Sequence, residues 1–333
     1  MPDPTLWLSE ADVVSVIDLP GAIAVLAEGF AAEAAGTAVP LDKTMATFAV
    51  RGGGHGTLHA LGGAVGDLAG AKVWAHTPGG ADPLLVLVDS GTGAVAAVIE
   101  AFALGQLRTA ATAGLATDKL AAPGASVLAV IGTGKQALPQ VAAVAAVRPI
   151  TQVRVYSRSS ANRDTFAARV RDELGLECSA VPSADAAVDG SDVVTLITRA
   201  TSPVLTAAMV HPGLHVNAVG AIDLARREFE PSILSGATVV SDSPSQARQL
   251  SAELRDFYGD SDSGWQTLRP LGAVVLAGTG RTDLTDVTLF KGMGSGIADL
   301  AVGAAVLDRV RGAGGGTTIT RTGRAQPVLI SKE

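Results

Sequence analysis

The sequence predicts an α/β protein with two domains: one built on a doubly wound parallel sheet, the other an α+β domain with an antiparallel sheet. The length of 333 residues is typical of two domains. Within residues 39–99, short segments of alternating polarity are separated by glycine-rich turns, which is the pattern of antiparallel hairpins. From Ser126 onward, short apolar segments alternate with helical ones, as they do in a parallel sheet.

The first domain is predicted over residues 1–122. A helix begins near Ser9, and an amphipathic helix over residues 20–35 has its proline in the first turn, where a missing N–H costs least. A helix over residues 103–120 carries Arg108, and Pro123-Gly124 marks the boundary to the second domain. The five strands between these helices are predicted over residues 44–50, 56–61, 71–76, 84–89 and 94–99.

The second domain, residues 123–292, opens with the strongest motif in the chain. The apolar run 127–131 is short and partly β-branched, as a fully buried strand should be, and Gly132-Thr133-Gly134 follows it directly. A helix is predicted over residues 136–147 and a second strand over 152–157. The glycines let the backbone approach a pyrophosphate, and the helix N-terminus offers free N–H groups. Since Ala137 is an allowed third position of the GxGxxG fingerprint, the motif predicts a Rossmann-type dinucleotide site.

The end of the second strand indicates which dinucleotide binds. An acidic residue there would bind the ribose hydroxyls of NAD, whereas an arginine accommodates a 2′-phosphate. This chain has Ser157-Arg158-Ser159, with Arg163 one turn into the next helix and no carboxylate at the strand end. A guanidinium beside hydroxyls suits a phosphate. The sequence therefore favours NADP(H), with NAD(H) as the alternative if Arg158 is an ordinary solvated residue.

The rest of the chain continues the alternation of strands and helices. A helix over residues 160–174 ends at Gly175. A last helix over residues 292–311 is expected to cross back, so that residues from about 293 to 333 join the first domain. Residues 312–333 are predicted to be a loose tail. The further strands are predicted over residues 177–181, 192–197, 215–219, 237–241 and 286–290.

Composition argues against several classes of protein. A formal net charge of −7 and a pI near 5.3 disfavour general nucleic-acid binding. Cys178 is the only cysteine, so no internal disulfide forms, and no Cys/His spacing indicates a metal site. The N-terminus lacks the pattern of a signal peptide, and no apolar run approaches the ~20 residues of a membrane span. A cytoplasmic protein without a membrane segment is expected.

Several short motifs together resemble the ornithine cyclodeaminase/mu-crystallin family. They are Ala71-Lys72-Val73, Leu107-Arg108-Thr109-Ala110-Ala111, Ile131-Gly132-Thr133-Gly134-Lys135-Gln136-Ala137, Val216-Asn217-Ala218-Val219-Gly220 with Glu228 downstream, and Phe290-Lys291-Gly292-Met293-Gly294 with Asp299. The resemblance covers about residues 39–311. It implies a substrate-binding domain that dimerises through its sheet, a Rossmann domain, and chemistry on a small amino or imino acid with a nicotinamide cofactor. The expected assembly is a homodimer.

The resemblance also implies roles for individual residues. Lys72 and Arg108 match positions that hold the carboxylate of the substrate, for which a lysine supplies a point charge and an arginine a planar fork. Lys43 is expected to add a positive contact, and His59 is a candidate proton donor, although a lone histidine in a strand is more often structural. Met293 is expected beside the substrate. The predicted cofactor contacts are Thr109, Gly132, Thr133, Gly134, Lys135, Gln136, Ser157, Arg158, Ser159, Arg163, Thr198, Asn217, Ala218, Val219 and Lys291.

One departure from the family pattern decides between activities. Cyclodeaminases of the family have an aspartate two residues after the Val-Gly pair, where this chain has Ile222. Asp223 comes one residue late, and in extended chain such a slip reverses the direction of a side chain. The sequence therefore favours an NAD(P)H-dependent ketimine reductase or amino-acid dehydrogenase. The alternatives are an ornithine or lysine cyclodeaminase that recycles its cofactor, which a bend bringing Asp223 inward would allow, and a non-catalytic NADPH-dependent binder of mu-crystallin type.

Overall fold

The computed structural model describes residues 4–320 and 325–330. The chain begins with strand β1 (Thr5–Leu8) and helices α1 (Glu10–Val16) and α2 (Leu19–Ala34). Ser9 caps α1 by accepting a hydrogen bond from Asp12 N, and Asp18 caps α2 in the same way from Gly21 N. Then come strands β2 (Val39–Ala49), β3 (His55–Val65), β4 (Leu68–His76), β5 (Leu84–Asp89) and β6 (Val95–Glu100), followed by helix α3 (Phe102–Leu120).

The second half of the chain alternates strands with helices, as predicted. It contains β7 (Val127–Ile131), α4 (Ala137–Ala145), β8 (Gln152–Tyr156), α5 (Ser160–Leu174), β9 (Glu177–Ala180), α6 (Ala184–Val188), β10 (Val193–Leu196), β11 (His215–Ala218) and β12 (Ala237–Ser241). It continues with α7 (Pro244–Leu250), α8 (Ala252–Tyr258), α9 (Asp262–Trp265), β13 (Arg269–Pro270), α10 (Leu271–Ala277), β14 (Val287–Lys291), α11 (Gly296–Gly312) and β15 (Thr317–Ile319). Two 3₁₀ turns, Ala207–Met209 and Pro231–Gly236, precede β11 and β12.

The first sheet has seven strands in the order β15-β1-β6-β5-β4-β3-β2. Strands β2 to β6 form antiparallel neighbours, as the hairpin pattern predicts. Two features differ from the prediction. Strand β1 lies parallel to β6, so the sheet is mixed, and residues 317–319 of the predicted loose tail pair with β1 as an edge strand. The tail is therefore partly ordered, because the free edge of β1 offers it backbone hydrogen bonds.

The second sheet has eight strands in the order β13-β12-β14-β11-β10-β7-β8-β9, and all its pairs are parallel. The chain runs outward from β7 to β8 and β9, and then returns to place β10 on the other side of β7. This reversal creates a crevice at the carboxyl ends of β7 and β10, which is where doubly wound sheets bind ligands. The α/β class with a Rossmann-type sheet is confirmed.

Helix α11 crosses back and packs on the first sheet. Its Val302 and Val306 lie in one hydrophobic core with Leu85 of β5 and with residues of α2 and α3. The contact with β3 is backbone to backbone, since a Cβ on Gly296 would lie 1.9 Å from the carbonyl oxygen of Gly62. Only glycine permits this approach. The domain boundaries at residues 122 and 292 stay a prediction.

The outer face of the first sheet is apolar and uncovered. Leu58 of β3 is 45% exposed, Val73 of β4 is 43% exposed, and Phe48 of β2 is partly exposed. In the described part of the chain, no single helix has both the length and the apolar character of a membrane span. Helices α1 and α2 meet that criterion only when joined, with a bend of 88° between them.

Candidate functional site

A cleft of about 600 Å³ lies between the two sheets. One wall comes from β2, β3, β4 and α3, and the other from the loops that follow β7, β10, β11, β12 and β14. The crevice of the parallel sheet therefore opens onto the face of the first sheet that carries Trp74. The structure brings these predicted residues together in the lining: Lys43, Arg108, Thr109, Gly134, Lys135, Gln136, Thr198, Val219 and Met293.

Arg108 and Lys72 are coupled through a buried carboxylate, that of Asp299 in α11. Asp299 Oδ1 accepts hydrogen bonds from Lys72 Nζ at 2.5 Å and from Arg108 Nε at 3.0 Å. Asp299 is fully buried, and its Oδ2 has no hydrogen-bond partner among the described residues. Within the same residues, Nε is the only nitrogen of the Arg108 guanidinium that makes a side-chain hydrogen bond. The two terminal nitrogens of Arg108 are therefore available to a ligand.

Lys72 lies behind this surface and is only 4% exposed. Burial and the neighbouring Arg108 guanidinium lower the pKa of Lys72 to about 8, although the Asp299 carboxylate opposes this shift. Lys43, in the β-bulge of β2, lines the cleft. Burial and Arg108 also lower the pKa of Lys43. Three cations therefore converge on one end of the cleft, with Asp299 as the fully buried counter-ion.

Asp242 is a lining residue that the sequence analysis did not single out. It follows β12, and its two oxygens accept hydrogen bonds from Met293 N at 2.8 Å and Gly294 N at 2.9 Å. Burial raises the pKa of Asp242 in spite of these bonds. Its carboxylate fixes the turn that presents Met293 to the cleft. A signal for it existed in the sequence, namely an aspartate directly after a buried strand of a parallel sheet.

The glycine turn after β7 fits a dinucleotide. Gly132 has φ +117°, and a Cβ there would lie 2.4 Å from the carbonyl oxygen of Ile197, so the ends of β7 and β10 approach through a glycine. The position of a Cβ on Gly134 has nothing within 4 Å, which leaves open space above the turn. Gln136 Oε1 is buried beside that space and has no hydrogen-bond partner in the part of the chain that the structure describes. Since α4 begins directly afterwards, its N-terminus faces the turn.

The loops after β10 and β11 are tied together by Glu228, which is fully buried. Its Oε1 accepts from Thr198 N at 2.6 Å and Thr198 Oγ1 at 2.8 Å. Its Oε2 accepts from Gly220 N at 2.7 Å and Ala221 N at 2.9 Å. One carboxylate thus fixes two adjacent segments of the cleft wall. Glu228 belongs to one of the sequence motifs that carry the family resemblance, but its role depends on contacts that no local pattern reveals.

A smaller cavity lies at the end of β8, lined by Thr133, Ser157, Arg158, Ser159 and Asn162. None of these five residues is acidic. Arg158 is exposed there, and Thr133 Oγ1 donates to Ser157 Oγ at 3.3 Å. Arg163 is used differently from the prediction: its guanidinium donates to the Ser157 carbonyl at 2.5 Å and lies over the Tyr156 ring. Arg163 therefore holds the strand end, while Arg158 remains open to solvent.

Several predicted contacts are not brought to the cleft surface. Asn217 is fully buried, and its amide donates to Thr117 Oγ1 of α3 at 2.8 Å. This hydrogen bond links the parallel sheet to α3. Lys291 is fully buried and donates to the Ala221 carbonyl at 2.6 Å, with Glu253 Oε1 at 3.4 Å. Ala218 is covered within β11. These three positions support the wall from behind because they lie inside strands that α3 and α8 cover.

His59 also lies outside the lining. Its ring stacks on Trp74 with a centroid distance of 4.7 Å and an interplanar angle of 8°, and its Nε2 lies 2.9 Å from Thr57 Oγ1. Burial, with Lys43 and His76 nearby, lowers the pKa of His59. A neutral ring packed on an indole suits a positioning role better than proton donation. Trp74, in turn, presents its indole to the cleft.

The loop after β11 turns Ile222 and Asp223 in different directions. Ile222 lines the cleft and is 37% exposed. Asp223 is absent from the lining, and its carboxylate is used within its own loop. There it accepts from Ala225 N at 3.0 Å and pairs with Arg226 Nε at 3.3 Å. An acid–base group thus does not replace the isoleucine at the wall.

Comparison with known proteins shows similarity over most of the chain. Residues 5–314 match the family model described as "Ornithine cyclodeaminase/mu-crystallin family". The chain is 31% identical to the mouse ketimine reductase mu-crystallin over 224 residues, which is 67% of this chain and 68% of that protein. It superimposes on Δ(1)-pyrroline-2-carboxylate reductase from Thermococcus litoralis, solved with NADH and L-proline, with a TM-score of 0.85 and 26% identity over 94% of this chain and 100% of the other. An archaeal alanine dehydrogenase dimer with bound NAD gives a TM-score of 0.86 and 28% identity, over 96% and 99% of the two chains.

Proposed function

This chain belongs to the ornithine cyclodeaminase/mu-crystallin family, and we propose that it is an NAD(P)H-dependent oxidoreductase that acts on the C–N bond of an α-imino or α-amino acid. The observation that carries the proposal is the position of Arg108. Arg108 lines the same cleft as the glycine turn of the parallel sheet, and among the described residues its terminal nitrogens have no hydrogen-bond partner. A carboxylate held there would lie across the cleft from a dinucleotide held by that turn.

The chain's own residues would bind and orient the substrate. Arg108 would grip the carboxylate through its planar fork, because Asp299 fixes the guanidinium by its Nε and leaves the terminal nitrogens available. Lys43 would add a second charged contact from β2. Lys72 would contribute positive potential from behind this pair, since its ammonium is held at Asp299. Together they would fix the head group and thereby the position of Cα.

The cofactor would be held by Gly134, Lys135 and Gln136 at its phosphates, by Thr109 and Val219 nearer the substrate, and by Thr198 on the loop after β10. A bound nicotinamide supplies the hydride that the side chains cannot supply. An iminium substrate arrives already protonated, so the protein needs to position it and exclude water more than to transfer a proton. This agrees with a wall where Ile222 stands and Asp223 is turned away.

NADP(H) is the preferred cofactor in this proposal. Arg158, Ser157 and Thr133 border a cavity that lacks a carboxylate, and a 2′-phosphate would find a guanidinium and hydroxyl groups there. A homodimer is proposed as well, formed through the apolar outer face around Leu58 and Val73. Large exposed apolar patches mark interaction surfaces, and the related archaeal alanine dehydrogenase is a dimer.

The test is turnover of NADPH with a set of α-keto acids supplied with methylamine or ammonia. We expect NADPH to be consumed in proportion to the amino acid formed. Arg108→Met should raise the Michaelis constant for the acid by at least about tenfold, which corresponds to the loss of one charged contact. Arg169→Met, which removes an exposed arginine of α5 outside the cleft, is the matched control. Release of ammonia from ornithine without net use of cofactor would favour a cyclodeaminase, and binding of NADPH without any turnover would favour a non-catalytic binder.

A further inference from the structure

We infer that the side chain of the substrate is apolar and that acids whose side chain ends in a cation are rejected. This inference rests on the proposed function and goes beyond it, because it concerns the part of the substrate that the carboxylate contacts leave free.

The wall beside the three cations is apolar. Leu61 of β3 and Trp74 of β4 line it from the first sheet, and Ile222, Phe290 and Met293 line it from the parallel sheet. Trp74 is held in place by the stacked His59 ring. A side chain that extends from a carboxylate at Arg108 would therefore meet indole, aliphatic and thioether surface. Such surface favours apolar groups by removing their area from water.

The charges in the lining disfavour a cationic group on the side chain of the substrate. Four lining residues are cationic, namely Lys43, Arg108, Lys135 and Arg199. Among the described residues, the lining contains one carboxylate, that of Asp242, and both of its oxygens accept backbone hydrogen bonds. An ammonium group in this cleft would lose its hydration without gaining a free anionic partner.

Two other carboxylates close to the lining are already used. Asp299 is fully buried between Lys72 and Arg108. Asp223 faces its own loop and pairs with Arg226. The side-chain ammonium of a diamino acid therefore finds no free counter-ion among the described residues of the wall.

The two hydroxyl groups that α3 contributes to the lining offer little to a neutral polar side chain, because both are already used. The hydroxyl of Thr109 donates to the Gly105 carbonyl at 2.7 Å, and that of Thr112 donates to the Arg108 carbonyl at 2.7 Å. A second carboxylate on the substrate would compete with the first for Lys43 and Arg108, since Lys135 lies in the glycine turn and Arg199 on the loop after β10, on the side proposed for the cofactor. An apolar side chain on the substrate would therefore leave the fewest polar groups unpaired in the cleft.

The experiment compares two α-keto acids of the same shape, one with a side chain ending in a tert-butyl group and one ending in the isosteric trimethylammonium group. α-Ketoglutarate is the third substrate, and methylamine and NADPH are supplied in each case. We expect kcat/KM to be at least about 100-fold higher for the tert-butyl acid than for the cationic one, because a site discriminates strongly against a group whose solvation it cannot replace. A ratio below tenfold, or a preference for α-ketoglutarate, would overturn the inference. If none of the acids supports NADPH oxidation, it is the proposed function that fails.

A pair of variants locates the effect at the wall. Ile222→Asp places a carboxylate there and should lower the ratio by at least about tenfold, whereas Ile222→Asn, which has the same shape without the charge, should leave it within about threefold. Ile222 is partly exposed, so both variants are expected to fold. Equal ratios in the two variants would show that the substrate side chain does not meet this wall, and the inference would be wrong.

Discussion

Replacing Asp299 by asparagine is expected to uncouple Lys72 from Arg108, the two cations proposed to act on the carboxylate of the substrate. The aspartate accepts from Lys72 Nζ at 2.5 Å and from Arg108 Nε at 3.0 Å, and it is fully buried. Asparagine keeps the shape and one acceptor oxygen but removes the negative charge. Lys72 then lies beside Arg108 with no buried counter-ion, so the charged form of Lys72 becomes less favourable.

The expected loss of stability follows from the burial of this ion pair. Removing one partner of a buried ion pair costs about 3–5 kcal/mol, and since asparagine still accepts a hydrogen bond we expect about 3 kcal/mol in the free energy of unfolding. The pKa of Lys72 is about 8 in the folded protein and 10.5 in an unperturbed lysine. Between these values the unfolded chain binds more protons, so this group makes the wild-type protein more stable as pH rises from about 8 to about 10.5. In Asp299→Asn the pH range in which Lys72 makes the protein more stable should begin at a lower pH.

The assay is the pH dependence of kcat/KM for the imino acid, with denaturant unfolding in parallel. In the wild type, kcat/KM should fall as pH rises through about 8, because Lys72 loses its charge there. In Asp299→Asn the fall should move to lower pH, while the Michaelis constant for NADPH stays within about twofold, as expected for a group outside the dinucleotide turn. If the fall stays at the same pH in the variant, or if only the NADPH constant changes, the reasoning about this pair is refuted.

Three further outcomes are expected. Arg158→Ala should raise the Michaelis constant for NADPH by at least about tenfold and leave that for NADH nearly unchanged, since only NADPH carries the 2′-phosphate that Arg158 would bind. Equal effects on the two constants would contradict phosphate recognition. Glu228→Gln should weaken NADPH binding by about tenfold, because an amide group cannot accept from all four donors. Glu177→Gln, at an exposed position, is the control. If the two variants bind NADPH with equal constants, Glu228 has no positioning role. Leu58→Lys should shift sedimentation from dimer to monomer, whereas Val14→Lys on α1 should not; a dimer that persists in both variants would place the interface elsewhere.

Local pattern was sufficient to predict the dinucleotide half of the molecule. A buried strand, a glycine turn and a helix follow one another within residues 127–145, and each is specified by its own composition. The hairpins of β2 to β6 were predicted for the same reason, although β2 and β3 extend further than their predicted ends. Elements whose signal is contained in about ten residues can be predicted without knowledge of their partners.

The features that were missed depend on distant partners. Strand β1 has four residues and β15 has three, and each exists because it pairs with a segment far along the chain. Asp299 was seen in the sequence, but its contact with Lys72 spans 227 positions. Asn217 and Lys291 have the residue types of ligand contacts, yet helices α3 and α8 cover them in the fold. The sequence shows which polar residues are present, and packing decides which of them face a ligand.

The loop after β11 shows how packing also decides the chemistry that is available. For Asp223 to replace Ile222 at the wall, the loop would have to rotate by one residue. The backbone on its N-terminal side is fixed by the hydrogen bonds from Gly220 N and Ala221 N to Glu228, and the Ala221 carbonyl accepts from Lys291 Nζ. Hydrogen bonds to charged groups contribute about 1.5–3 kcal/mol each, so breaking three of them would cost more than the ion pair of Asp223 with Arg226 could return at its exposed position. The isoleucine is therefore the stable occupant of the wall, and hydride transfer to a protonated imine is the reaction this loop supports.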